Sequence, residues 1–382
     1  MTIDNLQLQN FRNYSKKEFS FSFPTTIIIG PNASGKTNLF EAIFLLALGK
    51  SFRAEQDREM VAFGKEVGRI KGVIKQLNNE AGKEERREKI ELEVVLTQGQ
   101  VMGTKTPIKK YSINGVGKRM IDFIGNLHIV LFWPQDLELV TDSPSIRRRY
   151  LDFVLYQVDR EYRRTLISYE KGLQQRNRVL EAIRDFRAHR HQLIFWDQLL
   201  IKNGEYITRK REEYIDFINK SEIRNPKSER TSDVQINSNF QNSNYQLEYD
   251  KSIISPTRLA QYSQEEEASG VTLVGPHRDD FKFQIVNSKY EERDLSHFGS
   301  RGEQRLAILW LKLGELAFIE QATGEKPVLL LDDILSELDH EHRRIIFKVI
   351  SNQQTIITTT DLHLIEKDKL TNRSPSQERE HK

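Results

Sequence analysis

Residues 30 to 37 read GPNASGKT, which fits G-x-x-x-x-G-K-[ST]. The pattern follows a β-branched run ending in glycine, TTIIIG, and precedes a compact apolar run, NLFEAIFLLALG. A buried strand, a tight loop and a helix N-terminus in that order aim several backbone N–H groups at one point, and such a point holds phosphate. Gly30, Pro31, Asn32, Ala33, Ser34 and Gly35 form the loop, Lys36 reaches the terminal phosphates, and the Thr37 hydroxyl ligates Mg²⁺. Asn38, which follows, completes the group placed at the cofactor. The expected cofactors are ATP and Mg²⁺, and the fold class is α/β.

The acidic half of such a site comes 296 positions after Lys36, in VLLLDDILSELD at 328 to 339. An apolar strand there delivers Asp332 and Asp333 at its C-terminal end, where ligands of a parallel sheet lie. Asp332 is expected to hold Mg²⁺ through water, and Asp333 to act as base toward the attacking water. An acidic pair after a strand also serves as a helix N-cap, and Lys36 tips the reading toward metal. One domain must therefore be assembled from both ends of the chain. Residues 1–140 and 270–370 are assigned to this head, 141–269 to an inserted, mainly helical lobe with a polar linker at 221 to 247, and 371–382 to a disordered tail.

Periodicity supports the division. LQLQNF (6 to 11) and EFSFSF (18 to 23) alternate as strands, and further strands are expected at 67–74, 89–96, 110–115 and 127–134. Residues 78–89 read as a solvated hairpin tip. From Ser145 the period becomes helical, with Leu151, Val154, Leu155, Val158, Tyr162, Leu166 and Tyr169 on one face. A second helical run covers 191 to 220.

A further glycine-containing loop, SRGEQR, opens a helix at residue 300 without a lysine. Its position, about 30 residues before the acidic pair, resembles that of the signature loop of ABC ATPases, with Ser300 and Gly302 in the key places and Arg301 and Glu303 as departures. The resemblance implies that this loop completes the site of a second protomer and that SELD (336 to 339) runs along the interface. The plain alternative is a helix cap made by Ser300.

LQLQNFRNY, GPNASGKTNLFEAIFLLALGKSFR, VLFWPQDLELVTDSPSIRRRYLD, LVGPHRDDF and SRGEQRLAILWLKLGE with LLLDDILSELD occur in order over residues 6 to 339. Together they are similar to the successive motifs of the RecF family, recombinational-repair ATPases of the SMC-like branch of the ABC ATPases. The resemblance implies an ABC-type head and a weak, DNA-dependent ATPase. It implies an ATP-sandwiched homodimer on duplex DNA near single-strand gaps, with RecR and RecO as partners in recombinase loading. It also places Arg12 and Asn13 near the nucleotide and Gln135, or Asp136, where a loop would sense the γ-phosphate. His277, Arg278 and Asp279 match the family segment without a derived role. TIITTTDLH lacks a histidine directly after its strand, and His363 comes three residues past Thr360.

Charge is nearly balanced, with 58 Lys plus Arg against 55 Asp plus Glu, so a basic surface must come from clustering. RRR (147 to 149), REYRR (160 to 164) and QQRNR (174 to 178) are the candidates for DNA phosphate contacts. The absence of cysteine excludes thiolate zinc and the zinc-hook form of repair ATPase. The longest apolar run, AIFLLAL, is far below the ~20 residues of a membrane span, and the polar N-terminus is no leader, so a cytoplasmic protein is expected. A transporter ATPase is the competing class. The 264 positions between Lys36 and Ser300 argue against it.

Overall fold

The structure is a computed structural model, and it describes residues 1–78, 86–220, 244–286, 292–336 and 353–361, with positions 343, 346, 347 and 350 in helix. The expected interface segment at 337–339, His363, most of the hairpin tip at 78–89 and the tail at 371–382 lie outside the described residues.

The head holds two sheets with a helix between them. One has six antiparallel strands in the order Tyr14–Ser20, Thr2–Phe11, Val67–Asn78, Arg86–Thr97, Lys109–Ile113, Val116–Lys118. Its alternation is that of a half-buried sheet: Leu6, Leu8, Ile70, Ile74, Leu92, Val94 and Leu96 face inward and are at most 1% exposed. The second sheet has four parallel strands in the order Ile129–Phe132, Val328–Asp332, Thr355–Thr359, Thr25–Ile29. The helix Lys36–Leu48 contacts both sheets, and every residue from Leu39 to Leu48 is buried. That accounts for an apolar run with no polar face. Strand and helix meet closely enough that a Cβ at Gly72 would lie 2.8 Å from Leu46 Cδ1. The Gln354 side chain pins the sheets together, accepting from the Ile3 N–H at 2.7 Å and donating to the Ile3 carbonyl at 2.8 Å.

The chain's two ends do build one sheet, since Thr25–Ile29 and Val328–Asp332 flank Thr355–Thr359. The helical lobe consists of Pro144–Val158, Arg160–Arg184 and Ile194–Lys220. Two expectations shift. The strand expected at 18–23 spans Tyr14–Ser20, because a two-residue turn at Arg12 and Asn13 sets Phe11 opposite Tyr14 and fixes the register. The stretch read as linker to 247 ends earlier: Asn244–Asp250 pairs along its length with Asp280–Val286, which pairs with Glu292–Asp294. The boundary drawn at 269/270 thus crosses a three-stranded sheet. No helix among the described residues is long and apolar enough to cross a membrane.

Candidate nucleotide site

The loop after Thr25–Ile29 is held open by its backbone. Ala33 and Gly35 have φ of 64° and 105°, and a Cβ at Gly35 would lie 2.7 Å from Asn13 Nδ2 and 2.9 Å from the Tyr14 hydroxyl, so glycine is required there. Tyr14 donates to the Gly35 carbonyl at 3.1 Å, and Asn13 Nδ2 donates to Ser34 O at 3.3 Å. Asn38 Nδ2 donates to Asn13 Oδ1 at 2.7 Å. Lys36 Nζ reaches across the loop to the carbonyls of Gly30 and Pro31, at 2.7 and 2.9 Å. Asn13, Lys36 and Asn38 are therefore gathered at the loop.

Arg12 is not. Its guanidinium forms a two-pronged pair with Glu41, at 2.8 and 2.6 Å, and donates to the Glu59 carbonyl. Glu41 is fully buried and also accepts from Ser51 at 2.6 Å, with Arg53 at 3.4 Å. Arg12 supports the helix beneath the loop, while its neighbour Asn13 faces the loop. Arg53, which sequence reasoning quoted only within a motif, donates to Asn38.

Asp332 and Asp333 stand at the end of their strand. One strand lies between them and the phosphate loop, and that strand clasps both. Thr358 Oγ1 donates to Asp332 Oδ1 at 2.6 Å, Asp333 N–H donates to the Thr358 carbonyl at 3.1 Å, and Gly30 N–H donates to the Thr359 carbonyl at 3.3 Å. Asp332 is 4% exposed, and Asp333 takes φ 52°, a left-handed conformation that costs a non-glycine residue energy. Thr358 was the residue missed. The sequence offered a signal, a hydroxyl run in TIITTT whose register meets the acidic strand.

Gln135 lies exposed on the turn Pro134–Leu137, and it lines a cavity of about 340 Å³ together with Arg53. Asp136 is buried behind it and fixes the turn by accepting from the Trp133 N–H at 2.9 Å. It meets Lys312 Nζ at 3.3 Å, and Lys312 lies 3.3 Å from Glu315. Burial pushes the Asp136 and Glu315 carboxyls above their ordinary range. Burial also opposes the Lys312 charge, but the two carboxylates outweigh it and raise the ammonium pKa. The signature helix Arg301–Thr323 is thereby tied to the turn that carries Gln135.

Ser300 caps that helix. Its Oγ donates to Glu303 Oε2 at 2.8 Å, the Glu303 N–H donates back to Ser300 Oγ at 3.3 Å, and the Ser300 N–H donates to Glu303 at 2.7 Å. The departure Glu303 thus completes a capping box. Among the described residues no hydrogen bond or ion pair joins Ser300 or Gly302 to residues 30–38. Gly302 is exposed, and a Cβ there would find only Ser300 Oγ, at 3.9 Å.

Three arginines of the basic clusters, Arg147, Arg163 and Arg176, are internal, whereas Arg149, Arg160, Arg164 and Arg178 are exposed. Arg147 pairs two-pronged with Asp280, Arg163 bonds the carbonyls of Tyr156 and Gln157, and Arg176 is held by Asp197, Glu266 and Thr272. GPHRDD supplies the partners of Arg147, Arg148 and Arg211. Asp279, fully buried, accepts from Arg211 at 3.0 Å, from Tyr249 and from the Ser252 N–H, and its carbonyl accepts from Arg148. His277 lies 2.8 Å from the Tyr169 hydroxyl and 3.0 Å from the Thr272 carbonyl, and burial lowers its pKa to about 4.

The family model for the RecF/RecN/SMC N-terminal domain matches residues 2–380. A DNA replication and repair protein RecF of Herpetosiphon aurantiacus is 37% identical over 376 residues, covering 95% of this chain and 94% of its own. That of Chloroflexus aurantiacus is 38% identical over 385 residues, covering 95% and 94%. A solved structure described as the recombination mediator protein RecF-ATP in the RecFOR pathway superposes with a TM-score of 0.79 at 30% identity, covering 94% of this chain and 92% of that one. Matched along nearly its whole length by this family model and by these relatives, and folded like the solved structure, the chain belongs to the RecF family of SMC-like ABC ATPases.

Proposed function

We propose that the chain is an ATP-dependent switch of recombinational and replication-gap repair, in which ATP closes a dimer on duplex DNA and slow hydrolysis opens it. The observation that carries this reading is the division of the site. The phosphate loop and acidic pair are clasped to one strand, while Ser300 and Gly302 are presented outward without contact to that loop. Gly302 supports it, because it is exposed in the first turn of its helix and its missing side chain leaves that N-terminus open to close approach by a second copy's nucleotide.

Thr37 and Asp332 supply hard oxygen donors of the kind Mg²⁺ accepts alongside phosphates and water. When bound, the ion would neutralise charge on the phosphates. The Lys36 ammonium swings from the loop carbonyls to the terminal phosphates, Asp333 takes the proton of the attacking water, and Gln135 senses the phosphate being lost. Thr358 keeps Asp332 oriented throughout. Lys171 and Arg178, exposed seven residues apart on one helix face, continue the row begun at Arg164 and have no ion-pair partner among the described residues. With the exposed Arg160 and Arg164 they are basic positions suited to duplex phosphates. RecR, with RecO, is the expected protein partner.

The test is to size the protein with ATP and Mg²⁺, with and without gapped duplex, beside Lys36→Ala and Ser300→Arg. Wild type dimerises and both variants stay monomeric. Mixing the variants restores part of the ATPase, because one of the two composite sites keeps intact halves. A wild type that stays monomeric with ATP and DNA at high concentration rejects the switch.

A further inference from the structure

A cavity of about 590 Å³ separates the head from the helical lobe, walled by the segment after the first helix and by the helices Pro144–Val158 and Arg160–Arg184. Tyr156 lines it, is 2% exposed, and its hydroxyl has no hydrogen-bond partner among the described residues. A buried polar group left unmatched is costly and calls for a specific partner. Lys50 stands over the same ring, its Nζ 5.2 Å from the centroid. Arg149 lies 5.1 Å from the Phe153 ring and donates to the Ser51 carbonyl at 2.7 Å, and Arg148 donates to the Asp279 carbonyl at 2.8 Å. Among the described residues none of these three cations has a carboxylate at ion-pair distance, and each guanidinium keeps further N–H groups to donate.

Acidic residues line the cavity as well, but they do not cancel these charges. Asp57 is paired with Lys109 and Asp152 with Arg211. Glu170 acts on Lys50 but, like Glu55, is exposed, so solvent screens both. His277, also in the wall, is neutral at physiological pH.

We propose that this cleft binds a phosphate-bearing anion, with Lys50, Arg148 and Arg149 pairing its oxygens and the Tyr156 hydroxyl donating to one of them. Such a ligand is either a small free phosphate compound or the phosphates of a nucleic-acid backbone. The test uses full-length protein carrying Lys36→Ala, so that the nucleotide loop is silent, titrated separately with pyrophosphate and with a short blunt duplex while thermal unfolding is followed. Saturable stabilisation by pyrophosphate identifies the free ligand, and saturation by the duplex alone identifies the backbone. In either case Lys50→Gln, Arg149→Gln and Tyr156→Phe weaken it about tenfold. Tyr156→Phe carries an opposite signature in the ligand-free protein, raising its melting temperature by about 1–3 °C because an unmatched hydroxyl is removed. Binding of neither probe, or binding that all three substitutions leave unchanged, overturns the proposal.

Discussion

Replacing Lys312 with methionine keeps the length of the side chain and removes its charge. In the folded protein Lys312 Nζ lies 3.3 Å from both Asp136 and Glu315 and 4.9 Å from the centre of the Tyr150 ring, and all three charged side chains are about 7% exposed or less. The variant therefore leaves two buried carboxylates without a counter-charge. Breaking a buried pair in this way costs about 3–5 kcal/mol, a large share of a total stability of about 5–15 kcal/mol. The melting temperature should fall by roughly 5–15 °C. The sign of the pH dependence is fixed by the carboxyls. Burial raises their folded-state pKa values, so they bind protons more tightly folded than unfolded. Their contribution is fully present below the unfolded values near about 4 and is lost as pH rises through the folded ones. Without Lys312 those folded values rise further, so the deficit of Lys312→Met should be small near pH ~4 and largest at neutral pH. Urea unfolding of the wild type, Lys312→Met and the triple variant Lys312→Met/Asp136→Asn/Glu315→Gln at both pH values is the assay. The triple variant should recover most of the loss at neutral pH. A deficit equal at both pH values, or a triple variant no better than the single one, would refute the reasoning.

Thr358→Val keeps the shape of the clasp and removes the bond to Asp332. It should cost about 1.5–3 kcal/mol in thermal unfolding and about 10–100-fold in Mg²⁺-dependent ATPase, and an unchanged rate would show that Asp332 is oriented by something else. His277 has its proton affinity lowered on folding, from 6.5 to about 4, so the unfolded chain takes up the proton first and acidification through that window destabilises the protein. At about 1.4 kcal/mol per pKa unit the loss approaches ~3 kcal/mol, and His277→Asn should flatten that slope in denaturation curves. Arg12→Gln leaves Glu41 buried with only its weaker partners. It should lower the melting temperature without abolishing ATP binding, whereas loss of binding in a fully folded variant would return Arg12 to the nucleotide.

The sequence was most legible where chemistry demands contiguous residues. GPNASGKT and the run before Asp332 each declare a local geometry, and their separation along the chain dictated a sheet assembled from both ends. Side-chain pairing across long separations left no such trace. Arg147 and Asp280 are 133 positions apart, Arg211 and Asp279 68. From composition alone a cluster of arginines on a helix looks like a basic surface, and only packing separates Arg147, Arg163 and Arg176, which turn inward, from their exposed neighbours. Asn244–Asp250 was hidden for a related reason: its alternation is too short to stand out from a polar neighbourhood, and its strand identity comes from the partner at Asp280–Val286. Arg12 and Asn13 were read as a pair, yet a left-handed backbone at Arg12, φ 51°, sends the two side chains to different tasks.

The clasping strand has a consequence for how the protein is made. Thr25–Ile29 lies at the edge of its sheet, and Thr355–Thr359 is its neighbour there. The strand that leads into the phosphate loop is made some 330 positions before its pairing strand. At about 5–20 residues per second that is a wait of roughly 15–65 s. The six-stranded sheet, built wholly from residues 2–118, can form in the interval, whereas the phosphate loop gains its anchor only after Thr355–Thr359 has been made. The phosphate loop is therefore anchored only after the helical lobe and the acidic strand have been made, because both precede Thr355–Thr359 in the chain.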